Sequence, residues 1–406
     1  MNVLLIHQAF VSPNEAGGTR HYEFGKYCVQ QGISFSIIAS ELSYLSGKKV
    51  HDNLEPINEE FIEGVKILRA KVSSGLHANF VSRIISFFSF MVSSAILGLK
   101  EKRPDVVMGT TPPIFQAISA WIVSAVRSRP FLLEVRDLWP EFAIDMGILK
   151  NPILIWLSKK LEMFLYNHAD HILVNSPAYR DYIINKRIDR NKISLISNGV
   201  DLQSFVRKEH EYSIRTELKL TDKFLVVYAG ALGVANDIPV ILKAAQRLHD
   251  RKDIHFLLIG DGKERLNLEN YCRDHKLQNV TFAGTRSKQN MPGILAEADV
   301  CVAILQNIPM FKTTYPNKVF DYMAAGKPTL LVIDGVIREV IESAKGGMYI
   351  QPGNVESFVS AVIWMVEHRE EAVEMGRSAR EYVRRHFDRG VQAKEFSDLV
   401  TTLANT

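Results

Sequence analysis

Cysteine is scarce, and its placement excludes most of what cysteine does. Cys28, Cys272 and Cys301 lie far apart in the 406-residue chain and form no CxxC pair. They fall in helix or strand patterns and read as small core residues of a reduced compartment, without the neighbour pattern of a thiol nucleophile. Zinc-type His/Cys spacing, an EF-hand loop, a Walker A motif and a GxSxG elbow are all missing. So is charge of one sign. The formal net charge is +4, with 22 Lys/Arg against 18 Asp/Glu in residues 1–200 and 27 of each in the remainder. An excess so mild and diffuse excludes a nucleic-acid protein, which shows a concentrated basic stripe, but suits weak attraction to an anionic membrane. The opening Met-Asn-Val-Leu-Leu-Ile-His enters a strand without a basic n-region or cleavage site, so a cytoplasmic location is expected.

What is present is ordinary globular composition, 47% apolar and 23% charged, at a length that supports two domains with their own cores. Asn2–His7 is an apolar strand, followed by a loop with Gly17-Gly18, a helical pattern from Arg20 to Gln31, and a second strand at Ile33–Ile38. This is a βαβ unit whose glycine pair lets backbone approach a ligand at a helix entrance. It is not GxGxxG, and no acidic residue ends the second strand, so a dehydrogenase is a poor fit. Residues 41–78 read as polar and irregular around a short strand at 65–68. The apolar run 80–99 is long enough to span a bilayer. Ser82, Ser86, Ser89 and Ser93 nevertheless form one stripe along it, with Arg83 at one end and Lys100, Lys102 and Arg103 at the other. A core helix, a surface-lying membrane helix and a spanning helix all remain open.

Asp105–Gly109 is a strand turning at Thr110-Thr-Pro-Pro113. Phe131–Val135 is another, ending in Arg136-Asp-Leu-Trp-Pro-Glu141. Open α/β sheets keep their chemistry at strand C-termini, which makes Glu134, Arg136, Asp137 and Glu141 the acid/base candidates of this half; a buried Arg–carboxylate network is the structural alternative. A helix over 151–168 precedes Ser197-Asn-Gly-Val-Asp201, a plausible hinge. The βα alternation resumes with strands at 224–229, 254–259, 280–283, 299–305 and 328–333, giving a second α/β block. Gly230-Ala-Leu-Gly233 and Gly260-Asp-Gly262 follow strands there, with Lys263 and Arg265 close behind. Thr313-Thr-Tyr-Pro-Asn-Lys-Val-Phe-Asp-Tyr-Met-Ala-Ala-Gly-Lys-Pro328 reads as a loop and a short helix opening at Pro316. Its N-terminus favours phosphate, Lys318 would strengthen the attraction, and Asp321 lies one turn along. A solvated ion pair is the bland alternative. The closing helix is expected at about 370–386, with a weaker amphipathic tail to Thr406.

Taken in order, the Gly17-Gly18 loop, Thr110–Pro113, Glu134–Glu141, Ser197–Asp201, Ile259–Gly262 and Pro316–Pro328 resemble family 4 of the retaining glycosyltransferases. The branch that adds deoxy- or acetamido-sugars in O-antigen and capsule assembly is the most similar. The resemblance runs from the first strand to about residue 388. It implies the GT-B fold, two doubly wound Rossmann-like domains facing across a cleft: 1–200, joined by a C-terminal helix at about 386–406 crossing back, and 201–385. It also implies retention of anomeric configuration, a nucleotide-sugar donor, most simply UDP-linked, and a polyprenyl-diphosphate-linked acceptor. No metal, other cofactor or nucleic acid is expected, and the resemblance implies a cytoplasmic protein peripheral on the inner face of a bacterial plasma membrane, with 80–103 as the expected membrane contact. Donor contacts would come from Gly17, Gly18, Gly230, Lys263, Arg265, Pro316, Asn317 and Lys318, with Asp321 on the ribose; Asp137, Arg136 and Glu141 would be catalytic.

The family pattern is broken in three places. Its paired glutamates appear as Thr313 and Asp321, the basic residue after the first glycine of the second domain is Ala231, and Thr110-Thr111 stands where many members carry a catalytic histidine. A non-hydrolysing UDP-sugar 2-epimerase and a non-catalytic sugar-nucleotide-binding partner are the alternative functions.

Overall fold

The computed structural model of the chain describes residues 1–13, 15, 17–43, 47, 49–50, 59–73, 80–206 and 213–405. The polar stretch 51–58, expected to be irregular, and residues 207–212 lie outside the described residues. Two compact units form: residues 1–12, 18–197 and 390–406, and residues 13–17 and 198–389.

The first unit runs β1 (Asn2–Ile6), α1 (Arg20–Gln30), β2 (Ser34–Ser40), β3 (Glu59–Ile62), β4 (Val65–Ala70), α2 (Phe80–Lys100), β5 (Val106–Thr111), α3 (Phe115–Arg127), β6 (Phe131–Val135), α4 (Glu141–Asp145), α5 (Pro152–His168), β7 (His171–Val174), α6 (Pro177–Asn185) and β8 (Ile193–Leu195). The sheet order is β3-β4-β2-β1-β5-β6-β7-β8, parallel except where β3 meets β4. Strands such as Val3–Ile6 and Val106–Met108 are apolar throughout because helices cover both faces of a parallel sheet. β3, with its alternating Glu59-Glu-Phe-Ile62, is an edge strand; its short polar pattern explains why the sequence reads as irregular there.

The second unit runs α7 (Ile214–Glu217), β9 (Phe224–Ala229), α8 (Ile238–Arg247), β10 (Ile254–Ile259), α9 (Arg265–Asp274), β11 (Val280–Gly284), α10 (Met291–Ala296), β12 (Val300–Ile304), α11 (Asn317–Ala324), β13 (Thr329–Val332), α12 (Val336–Ser343), β14 (Gly347–Tyr349), α13 (Val355–Glu367) and α14 (Arg369–His386). Its sheet, β11-β10-β9-β12-β13-β14, is parallel throughout. The last helix, α15 (Arg389–Ala404), belongs to the first unit, where Phe396 stacks on Phe24 at 4.7 Å. One detail differs from expectation: Pro316 is the N-cap of α11 rather than its first helical residue, with ψ at 125°.

Strand order reverses direction between β1 and β5 in one sheet and between β9 and β12 in the other. Ligands of open α/β sheets bind beyond the C-terminal ends of strands at such switch points. Each unit therefore has one place to search.

Candidate functional site

At the switch point of the second unit, β9 ends and the chain turns through Gly230. Tyr322, fully buried on α11, accepts from the Ala229 N–H at 3.0 Å and donates to its carbonyl at 3.1 Å, pinning α11 to the end of β9. One turn earlier on the same helix, Lys318 is thereby held over Gly230. Its Nζ donates to the Tyr228 hydroxyl at 3.0 Å and to Asn236 Oδ1 at 3.1 Å, and lies 4.3 Å from the Tyr228 ring centre. Tyr228 gives its own proton to the Ala231 carbonyl, so its oxygen is free to accept from the ammonium. A Cβ on residue 230 would lie 2.7 Å from Lys318 Nζ and would push the ammonium from its place. Lys318 has neutral partners and no carboxylate among the described residues, and burial lowers its pKa to about 7. Pro316 offers no side-chain cap, so the first-turn N–H groups of α11 have no such competitor for an anion. The loop before α11 is fixed by Asn198, whose side-chain amide donates to the Tyr315 carbonyl at 2.8 Å.

The other donor candidates fall into two groups. Asp321 is paired with Lys288, both carboxylate oxygens 3.1 Å from its Nζ. It lies one turn along α11 from Lys318 but has a different partner. Arg265 is held by Glu269 at 2.8 Å and Asp261 at 3.4 Å, and Lys263 is exposed. Gly260 and Gly262 have backbone work instead: a Cβ on Gly260 would meet the Gly230 carbonyl oxygen at 1.9 Å, and one on Gly262 the Leu232 oxygen at 2.4 Å. The loops after β9 and β10 are thus locked together, with Leu232 N–H donating to the Asp261 carbonyl. Thr313, in the position of the family's first glutamate, donates to the Met310 carbonyl at 2.6 Å.

The first unit's switch point holds a buried network on the α1 side of the sheet. Glu134, fully buried on β6, accepts from Arg20 Nε at 3.0 Å, from His21 Nε2 at 2.5 Å and from Thr110 at 3.0 Å. Burial alone would raise the Glu134 pKa, but His21, Arg20 and Arg136 together hold it well below the usual value. Arg136 donates to Thr110 Oγ1 at 2.9 Å and to His7 Nε2 at 3.0 Å. An arginine can only donate, so His7 Nε2 accepts and the neutral ring carries its proton on Nδ1. Burial, with Arg136 next, lowers the His7 pKa well below its ordinary value. Its Nδ1 is buried without a protein partner. Arg20 also reaches the Ile196 and Ser197 carbonyls at 2.7 Å, and Gln116 ties β1 to β5 through Gln8 N–H and the Thr110 carbonyl.

Asp137 is turned the other way. It shares a small cavity with Thr111, Trp139, Glu162 and Tyr166, and accepts from Tyr179 at 3.4 Å. Burial raises its pKa to about 6, against the partial opposition of Arg136 and Tyr179. Glu141 pairs with Lys159 at 3.0 Å and accepts from Tyr182 at 3.3 Å. The three catalytic candidates therefore do not converge: Arg136 joins Glu134, while Asp137 and Glu141 have separate partners toward α5 and α6. The period of two along β6 was a usable signal, since it puts Glu134 and Arg136 on one face. Gly17 and Gly18 form the loop before α1, Gly17 with φ at 142°. Tyr228, Asn236, Lys288, His7, Arg20 and His21 were not singled out from sequence; only the position of Tyr228 and His7 at strand ends pointed to them.

Two family models match the chain: "Glycosyl transferase 4-like domain" over residues 17–199 and "Glycosyl transferases group 1" over residues 223–368. The putative colanic acid biosynthesis glycosyl transferase WcaI of Escherichia coli is 22% identical over 78% of this chain and 79% of its own. The sulfoquinovosyl transferase SQD2 of Arabidopsis thaliana is 25% identical over 72% of this chain and 56% of its own. Among solved structures, Anabaena HepE in complex with UDP superposes with a TM-score of 0.71 at 15% identity, covering 99% of this chain and all of that one. Sucrose-phosphate synthase from Thermosynechococcus elongatus gives 0.77 at 18%, covering 99% and 98%. These likenesses establish a shared fold.

Proposed function

This chain belongs to the glycosyltransferases of GT-B fold, and we propose that it moves an acetamido- or deoxy-hexose from a UDP-linked donor to a polyprenyl-diphosphate-linked saccharide in surface polysaccharide assembly, retaining anomeric configuration. The observation that carries the donor half is Lys318: a half-buried cation at the second switch point whose only partners among the described residues are Tyr228 and Asn236. Relatives named for colanic acid and D-rhamnose transfer, and the UDP complex of HepE, support the substrate class.

In this reading the donor diphosphate takes Lys318 and the first-turn N–H groups of α11 as its partners. As the glycosidic bond breaks, negative charge accumulates on the leaving diphosphate, and a preorganised cation with helix N–H groups lowers that barrier by about 3 kcal/mol per well-placed donor. Asp321 reads the ribose diol, which requires it to share or leave Lys288. In the first unit Asp137, with its pKa raised to about 6, is the group that assists the acceptor hydroxyl, and Arg136, held in the Glu134 network, positions the strand end beside it. Turnover is expected to need no added metal.

The test is to incubate purified protein with UDP-, GDP- and dTDP-sugars, each with and without a polyprenyl-diphosphate-linked saccharide, in the presence of EDTA. Acceptor-dependent release of UDP with a new α-linked product from an α-linked donor is expected. Epimerised UDP-sugar without acceptor would replace this reading with that of a 2-epimerase. Tight nucleotide binding without any turnover, unaltered by Asp137→Asn, would replace it with that of a non-catalytic partner.

A further inference from the structure

The outer face of the first unit's α2, α3 and α5 layer is apolar where a surface bathed in water is polar. On α2 the serine stripe turns inward: Ser86 is 1% exposed, Ser89 Oγ accepts from the Ser73 N–H at 3.1 Å, and Ser93 Oγ donates to the Lys71 carbonyl at 2.8 Å. The outward stripe is Ile85, Phe88, Val92 and Ile96, each 45–54% exposed and spaced three or four apart. The helix is inside out. Its 19 residues from Ser82 to Lys100, with mean hydropathy 1.6, would suffice to cross a membrane. Phe90 and Ser94 on the inner side are nevertheless fully buried in the unit, so it can only lie along a surface.

A second apolar patch lies on the approach to α5 and on its first two turns: Ile148, Ile153, Leu154, Trp156 and Leu157 are 42–67% exposed. α3 sits between the two helices and joins them through rings. Phe115 contacts Phe88 at 4.8 Å and Trp139 at 6.5 Å between centres, and Trp121 meets Phe164 on α5 at 4.8 Å. Charge on the layer is mainly basic. α2 carries Arg83 and Lys100 and no acidic residue; α5 carries Lys160, Lys159 paired with Glu141 of α4 at 3.0 Å, and Glu162, which is buried and paired with Lys186 at 2.5 Å. Lys160 lies 5.9 Å from the Trp156 ring centre, a cation beside an aromatic of the kind found at headgroup level.

We propose that the α2 and α5 faces together dock on an anionic bilayer, with α2 lying in the plane of the headgroups and Trp156 inserted beside it. Apolar burial supplies the attachment and the basic residues the preference for anionic lipid. This assignment rests on the surface and not on the donor reading, so it stands or falls separately. It extends the contact expected for residues 80–103 by a second helix, α5.

Purified full-length protein is sedimented with vesicles of phosphatidylcholine alone and of phosphatidylcholine with phosphatidylglycerol. Binding to the anionic vesicles is expected to be about tenfold tighter and to weaken as salt is raised. The triple change Ile85→Ser, Val92→Ser, Ile96→Ser should lower it by about tenfold or more, and Trp156→Ser with Leu157→Ser by a similar factor, with melting unchanged because these side chains are exposed. On otherwise unaltered protein, brominated phosphatidylcholine in the anionic vesicles should quench tryptophan fluorescence, and Trp156→Phe should remove that quenching; this arm does not depend on the multiple variants folding. Recovery in the supernatant with every vesicle would overturn the proposal. So would binding that α5 changes leave intact, or a dimer by light scattering that the α2 triple change converts to monomer, which would assign the face to a second copy.

Discussion

The two switch points solve opposite electrostatic problems. In the first unit Glu134 is surrounded by Arg20, His21 and Arg136, so the charges are answered from within the protein. In the second, Lys318 is held by a phenol and an amide, and its charge is answered by nothing on the chain among the described residues. A closed network fixes positions; an open cation waits for an anion. The contrast separates scaffold from binding group more sharply than residue type does, since both sites are rich in charge.

The largest effect that tests this contrast is on stability. Glu134→Ala leaves Arg20 and Arg136 without their carboxylate and should cost about 3–5 kcal/mol in denaturant unfolding. Because the folded Glu134 carboxyl ionises well below its ordinary value, its contribution is present above that value and is lost as pH falls through the folded pKa. Glu134→Gln should accordingly be less acid-sensitive than the parent protein. A loss under about 1 kcal/mol would show the network to be dispensable. Lys318→Met should do the reverse: turnover falls by about a hundredfold or more while the melting temperature stays level or rises, because an amine that is costly to charge has been removed. Equal damage to fold and activity would erase the distinction.

A pH series sharpens the same point. With its pKa lowered to about 7, Lys318 is largely neutral in the free protein at pH 8, whereas a bound diphosphate favours the charged form. UDP affinity should then be level below about pH 7 and fall by up to about tenfold per pH unit above it, with proton uptake on binding. Calorimetry in two buffers of different ionisation heat measures that uptake directly. Lys318→Gln should give a flat profile, and a flat profile in the unaltered protein would mean the lysine already carries its charge.

Much of the fold was legible because parallel strands buried on both faces leave unmistakable apolar runs; β9, β10 and β12 fall within a residue of their expected ends. The place of Lys318, in the first turn of a helix that follows a buried strand, was legible too. Its partners were not. Tyr228 and Asn236 are 90 and 82 residues away, and nothing in a linear pattern relates them. Asp137 illustrates the opposite failure: grouped by sequence with Arg136 and Glu134, it is carried by the strand's alternation to other neighbours. The serine stripe of α2 predicted two faces correctly but not which one met water, because the decision belongs to Lys71 and Ser73, whose backbone groups take up two of the serines.

The smallest expected effect concerns Asp321, and it decides whether the open site has one binding group or two. Its pair with Lys288 is partly exposed, 21% and 31% respectively, and such pairs contribute about 0–1 kcal/mol. Asp321→Asn should therefore leave melting nearly unchanged. If the carboxylate reads the ribose in the ground state and the transition state alike, the donor KM should rise several-fold with kcat held. Lys288→Met then becomes informative. Freed from its partner, Asp321 would bind the diol without first giving up an ion pair, so the donor KM should fall slightly in that variant. Should it rise instead, Lys288 is itself a donor contact, and the second unit's anion site holds two lysines rather than one.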